Sequence, residues 1–239
     1  MQVLLFLHRL YFFVILNIRN KKTYKMKKII FLFIISSLIS IKGIGLTLSP
    51  ETEVSILTCA PGNELYSLFG HTAIRINDPR HQIDRVYNYG TFDFSTPHFY
   101  LKYARGLLPY QLTVQKFSHF IYNYQLEERT VYAQTIRLDS LEKQRIFDLL
   151  EENLLPQNRY YLYNFLFDNC TTRSRDILLK SLPDSVAWNM PDVNKNFWNL
   201  LDEYLQASPW VQWGIHTILG QRGNRTATTF QYMFLPDYL

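Results

Sequence analysis

Hydrophobic and polar positions alternate in short bursts in the first half of the mature-looking chain and recur at helical spacing in the second. VSILTC at 54–59 reads as a strand, and PGN at 61–63 as the turn that ends it. HTAIRI at 71–76 alternates, NDPRHQ turns the chain, and DRVYNYG at 84–90 returns, which predicts an antiparallel pair. TVYAQTIRL at 130–138 alternates again, with Val131, Ala133, Thr135 and Arg137 on one face and Tyr132, Gln134, Ile136 and Leu138 on the other.

Helical signals follow. Asp139 is a candidate N-cap with Glu142 three residues on, Ile146, Leu149, Leu150 and Asn153 continue at helical spacing, and Pro156 marks the end. A second helix starts near Cys170, capped by Asp168 or Asn169, with Arg173 and Asp176 outward and Ile177, Leu178 and Leu182 apolar until Pro183. NFWNLLDEYL and WVQWGIHTILG predict further helix ending at Gly220. Early strands and late helices predict an α+β domain, a small antiparallel sheet packed with helices. No linker, repeat or low-complexity tract interrupts residues 46–239, which predicts one domain there.

Charge changes this picture at one end. The net charge is +5, yet residues 1–45 hold eight Lys or Arg and no acid, so that segment carries +8 and the remainder −3. A mildly acidic body gives a nucleic-acid partner no electrostatic warrant. The basic leader contains apolar runs at 3–16 and 29–41, neither long enough to span a bilayer comfortably. The second follows MKK and runs into GIG, which predicts a secretory signal at 26–45 with 1–25 as an upstream extension, a two-part membrane anchor being the alternative. Export to the periplasm is the expectation, and two cysteines, Cys59 and Cys170, then allow one disulfide.

Cys170 carries the candidate chemistry. A thiol in the first turn of a helix feels the positive end of the helix dipole and unpaired amide donors, both of which favour thiolate. The same amides can receive an oxyanion. The alternative is a small buried packing residue, a common use of cysteine, or a half of the disulfide, which would silence it. Among six histidines, His71 opens a strand directly after Gly70, held by the sheet yet facing a loop, a place suited to a base. His8 falls in the leader, and His81, His98, His119 and His216 read as surface or packing residues. Asn88, on the returning strand, is the candidate to orient the imidazole; Asp93 competes, and Tyr89 stays open. Residues 87–110 hold eight Phe or Tyr, among them Tyr89, Phe92 and Phe94, which with Tyr66 could line an apolar groove or meet a bilayer interface. An aromatic core under a long loop explains the same composition. There is no HExxH, CxxC, GxxxxGK or GxSxG, and Cys59, Cys170 and His71 lack a recognised ligand spacing, so neither a metal nor another cofactor is expected.

Five blocks, LTCAPGNELYSLFGHTAIRI, VYNYGTFDF, FYLKYARGLLPYQL, YLYNFLFDNCTTRSRDIL and MFLPDYL, together resemble the periplasmic domain of the Lnb-type bacterial lipoprotein N-acyltransferases, from about Leu48 to the C-terminus. The resemblance implies a circularly permuted papain-like fold, related to NlpC-type peptidases, in which histidine precedes cysteine. The FGH block then carries the histidine, His71, and DNCTTR the nucleophile, Cys170. It further implies a membrane phospholipid as acyl donor, a thioester on Cys170, and the N-terminal amine of a lipoprotein as acceptor. Members of full length continue past FLPDYL into transmembrane helices, which implies a membrane region that this sequence lacks. Two alternatives stand beside acyl transfer: a cysteine hydrolase of lipid esters or cell-wall peptides, and a non-catalytic envelope module that binds lipid or a partner.

Overall fold

The computed structural model describes residues 45–99, 102, 106–182 and 194–239. The leader, His8 and the expected signal segment up to residue 44, and Pro183, lie outside them. Residues 47–239 group as one compact unit.

Six strands form one antiparallel sheet: β1 (Glu53–Cys59), β2 (His71–Asp78), β3 (Ile83–Thr91), β4 (Pro109–Lys116), β5 (Val131–Thr135) and β6 (Tyr160–Leu162), in the order β5-β1-β2-β3-β4-β6. The expected pairing of the 71–76 and 84–90 runs is present, and its register sets Ile74 against Tyr87. Alternation sorts the side chains. Val54, Ile56, Ile74, Ile76, Tyr87 and Tyr89 share one buried cluster with Ile146, Leu150, Ile177 and Leu178. Leu57, Cys59, Ala73 and Val86 face the other way and meet Phe120. Each such aliphatic side chain taken from water stabilises the fold by roughly 1.5–3 kcal/mol.

The helices that cover these faces are α1 (Phe117–Leu126), α2 (Ser140–Leu154) and α3 (Cys170–Ser181), followed by α4 (Phe197–Leu205), α5 (Pro209–Leu219) and the single turn α6 (Thr229–Tyr232). Asp139 caps α2 in the expected capping box with Glu142. Asn169, of the two cap candidates, caps α3, its side chain accepting from the N–H groups of Thr171 and Thr172. α3 packs on α2 and across β2 and β3, which fixes the site described below. Phe197, Leu200, Leu201 and Leu205 of α4 join Tyr232, Phe234 and Leu235 in a separate cluster.

The structure departs from the sequence reading in three places. The 130–138 run forms β5 only to Thr135, an edge strand with no fully buried side chain, although Val131 packs on one cluster and Ile136 and Leu138 beyond the strand pack on the other. The sequence reading assigns no element to the short β6 or to the β4–α1 segment: β6 has three residues, whereas in β4 Tyr110, Leu112 and Val114 alternate with Gln111, Thr113 and Gln115, a signal that the reading passes over. Among the described residues no helix is long and apolar enough to cross a membrane.

Candidate active site

The site forms where the N-terminus of α3 meets the start of β2. A loop from Cys59 to His71 ends in Ser67–Gly70 turns and delivers His71 as the first residue of the strand. Gly70 is required there: its φ is +74°, and a Cβ would stand 2.6 Å from the Cys59 carbonyl oxygen. The next glycine of the site, Gly90, has φ +107° at the irregular end of the β3–β4 ladder, and its missing side chain faces Cys170 Cβ and His71 Cε1, each 3.6 Å from an ideal Cβ.

His71 Nε2 lies 2.7 Å from Asn88 Oδ1. An amide oxygen accepts, so Nε2 carries the proton and Nδ1 is the nitrogen left to share a hydrogen bond with the Cys170 thiol. Asp93 is exposed and accepts from the Ser95 N–H and hydroxyl instead. The Tyr89 hydroxyl accepts from Asn153 Nδ2 at 2.9 Å on the buried side of the sheet. Of the three candidates to orient the imidazole, Asn88 is the one placed at it.

Cys170 is the first residue of α3 and only partly exposed. Burial pushes its thiol up, but the charge and hydrogen bond of His71, and the backbone N–H of Thr72 donating to the sulfur, outweigh this and bring it down to about 7. For His71 burial acts downward, and the Cys170 charge and the bonds to Cys170 and Asn88 carry it above its ordinary value. Both shifts favour the charged forms, so the pair tends toward thiolate and imidazolium. Cys59 is the opposite case: burial pushes it up to about 12, despite a bond to Tyr124. Both cysteines are free thiols, which removes the disulfide as a reason for Cys170 to be inert. Among the described residues no group of three or more His, Cys, Asp or Glu could hold a metal ion.

The expected oxyanion site in the first turn needs a correction. The Asn169 cap already takes the N–H groups of Thr171 and Thr172, so the Cys170 N–H is the first-turn amide that the cap leaves to a ligand. Asn169 does more than sequence reasoning gave it. Its Nδ2 donates to the carbonyls of Phe165 and Phe234, both at 2.8 Å, so one buried side chain ties the Cys170 helix to the loop before it and to the C-terminal FLPDYL block. The bidentate pair of Arg173 with Asp168 and the stacking of that guanidinium 3.6 Å over Tyr161 hold the outer side of the same helix.

A narrow cleft of about 70 Å³ contains the pair; Tyr66, Phe92, Tyr110, Phe234 and Pro236 are among its walls. Tyr66 and Phe92 thus line it as expected of an aromatic groove, their rings 6.1 Å apart. Phe94 stands behind them, 4.9 Å from Phe92, and does not line the cleft. Tyr89 is a correction: at 1% exposure it is a core residue, because its place on β3 turns it toward α2 and α3. Phe69, Tyr163 and Phe165, which the sequence reading did not single out, complete the apolar lining.

Searches of curated proteins and of solved structures find no match. Residues 47–202 match the family described as the Lnb N-terminal periplasmic domain, a span that holds β1 through most of α4 and includes His71, Asn88 and Cys170. The chain belongs to the Lnb N-terminal periplasmic domain family.

Proposed function

We propose that this protein is a periplasmic thiol acyltransferase that moves an acyl chain from a membrane phospholipid to the N-terminal amine of a lipoprotein, through a thioester on Cys170. The observation that carries the reading is the Cys170–His71–Asn88 arrangement, with the thiol lowered to about 7 at a helix N-terminus. A base-paired nucleophile whose base is oriented by a third group is the arrangement nucleophilic catalysis requires. The order of parts, a histidine strand preceding a cysteine helix that packs across it, supports the circularly permuted papain-like fold. Family membership supports an envelope role.

The thiolate of Cys170 attacks the ester carbonyl, and the carbonyl oxygen gathers negative charge beside the Cys170 N–H. The C–O bond to the lipid breaks, the His71 imidazolium gives its proton to the departing alkoxide, and a lyso-lipid leaves. The α-amine then attacks the thioester. A C–N bond forms, the C–S bond breaks, His71 accepts the amine's proton, and the thiolate returns. Ester and amine have become alcohol and amide, with no external oxidant or reductant. Leu65, Phe69 and Phe165 at the edge of the cleft offer apolar contact, and this suits an alkyl substrate better than a peptide backbone, which needs hydrogen-bonding partners.

The test is intact mass after exposure to phospholipid vesicles. The wild type gains one acyl mass that neutral hydroxylamine releases, and Cys170→Ser gains no hydroxylamine-labile adduct. A synthetic lipoprotein peptide with a free α-amine then discharges the adduct as an N-acyl peptide. Rapid release of free fatty acid without any amine would instead favour the hydrolase, and no adduct with any phospholipid would overturn the covalent reading.

A further inference from the structure

The catalytic cleft, at about 70 Å³, has room for a reacting ester group and little else. A long acyl chain must therefore lie elsewhere. Beside the cleft is a larger cavity of about 360 Å³, within the range of ligand sites. The two share Leu65, Phe69, Tyr163 and Phe165 as walls, so they are neighbouring compartments of one depression. The larger cavity is walled by Leu166, Phe167, Ile215, Ile218 and Leu219, with Arg222 as the one charged residue among the described residues that line it.

α5 forms one side of this cavity and has no buried residue. Ile218 lines the cavity while remaining 70% exposed, so the cavity opens to solvent along this helix. Toward its start the helix also exposes Trp210, at 85%, and Trp213. Tryptophan is the side chain that most favours the boundary between water and lipid. An apolar chamber that opens to solvent along α5 and adjoins a nucleophilic thiol fits one occupant.

We propose that this second cavity, walled by Ile215, Ile218 and Leu219 of α5 and by Phe165 and Phe167, receives the fatty acyl chain while its carbonyl is bonded to Cys170, and so sets the chain-length preference. The proposal rests on the acyl-transfer reading. Each methylene withdrawn from water is worth roughly fourfold in an equilibrium constant, so chain length is discriminated by how many methylenes the chamber accommodates.

The experiment uses the full chain and two activated esters, p-nitrophenyl butyrate and p-nitrophenyl palmitate, in one detergent. Acylation of Cys170 is read by intact mass and by the p-nitrophenolate that leaves as the C–O bond breaks. The measured quantity is the ratio of the two acylation rates. Ile218→Trp, at an exposed position that does not threaten folding, fills space for about two methylenes and lowers the palmitate-to-butyrate ratio by roughly fifteenfold. Phe167→Ala widens the chamber and raises the same ratio. A ratio unchanged in both variants, with Cys170 still acylated by both esters, overturns the acyl-chamber proposal and leaves the acyl-transfer reading standing. Failure of the wild type to be acylated by either ester overturns the acyl-transfer reading itself.

Discussion

Thr72 and Thr171, the residues that directly follow His71 and Cys170, have their hydroxyls 3.0 Å apart and are fully buried, although 99 positions separate them. Neighbouring residues on a strand point to opposite faces. β2 therefore offers His71 to one side and Thr72 to the other, and the first turn of α3 engages both. The threonine bond joins strand to helix one residue away from the chemistry, and it fixes how far the thiol stands from the imidazole.

Thr171→Val alone strands the Thr72 hydroxyl and is expected to cost about 1–3 kcal/mol, whereas Thr72→Val leaves the Thr171 hydroxyl its contact with the Cys170 sulfur at 3.8 Å and should cost less. Thr72→Val with Thr171→Val removes both polar partners, so it should cost less than the sum of the singles, with a coupling of about 0.5–3 kcal/mol. Urea unfolding of the four proteins gives the cycle. Strict additivity would show that the bond contributes nothing.

Alkylation by iodoacetamide should follow the Cys170 thiolate, rising through a midpoint at about 7 and reaching a plateau above it. The sign follows from the lowered value: thiolate is present above that midpoint and lost as pH falls through it. His71→Ala removes the leading downward influence and moves the midpoint up toward or beyond the roughly 8.5 of an unperturbed thiol. Asn88→Ala, which acts through His71, moves it upward by less. Cys59 should stay unlabelled at neutral pH in the folded protein and react once it is unfolded. Equal labelling of both cysteines in the native state would contradict the assigned environments.

Asn169→Ala and Asn169→Asp separate two jobs of one side chain. Loss of the cap by Ala costs about 0.5–2 kcal/mol, and the Phe165 and Phe234 carbonyls lose their donor as well. Asp keeps the capping oxygen but turns a carboxylate on those two carbonyls, so it should destabilise at least as much as Ala despite better capping. Thermal unfolding decides. An Asp variant as stable as wild type would mean the tie to Phe234 is idle.

Gly90→Ala tests the backbone beside the site. At φ +107° a side chain is strained whatever space surrounds it, at a cost of about 1–3 kcal/mol. The new methyl would lie in ordinary contact with both Cys170 and His71, so relief of that strain should displace one of them and slow alkylation of the thiol. Unchanged stability and unchanged alkylation together would show that the glycine is not needed.

Much of the scaffold was legible because its signals are local. The Asp139–Glu142 capping box, the cap before Cys170 and the alternation of the 71–76 and 84–90 runs each depend on residues a few positions apart, and each stands where the spacing placed it. The motif blocks likewise pointed to the family that residues 47–202 match. β6 was not legible, since three residues contain no period, and neither was the register that brings Asn88 rather than Asp93 to the imidazole. Tyr89 and Phe92 sit in one aromatic run, and only the facing of β3 sends the first into the core and leaves the second at the cleft.

The sequence by itself determined the pieces: a helix that begins at Cys170, a strand that begins at His71, and glycines beside the histidine where bulk would not fit. Tertiary structure decided what the thiol is. Its lowered pKa comes from His71 and from the N–H of Thr72, groups about a hundred residues away, and the cleft and cavity beside it are walled in part by Phe234, Leu235 and Pro236 and by α5. Electrostatic shifts and cavities depend on distances of a few ångströms between distant segments, and such distances exist only once the chain has closed on itself.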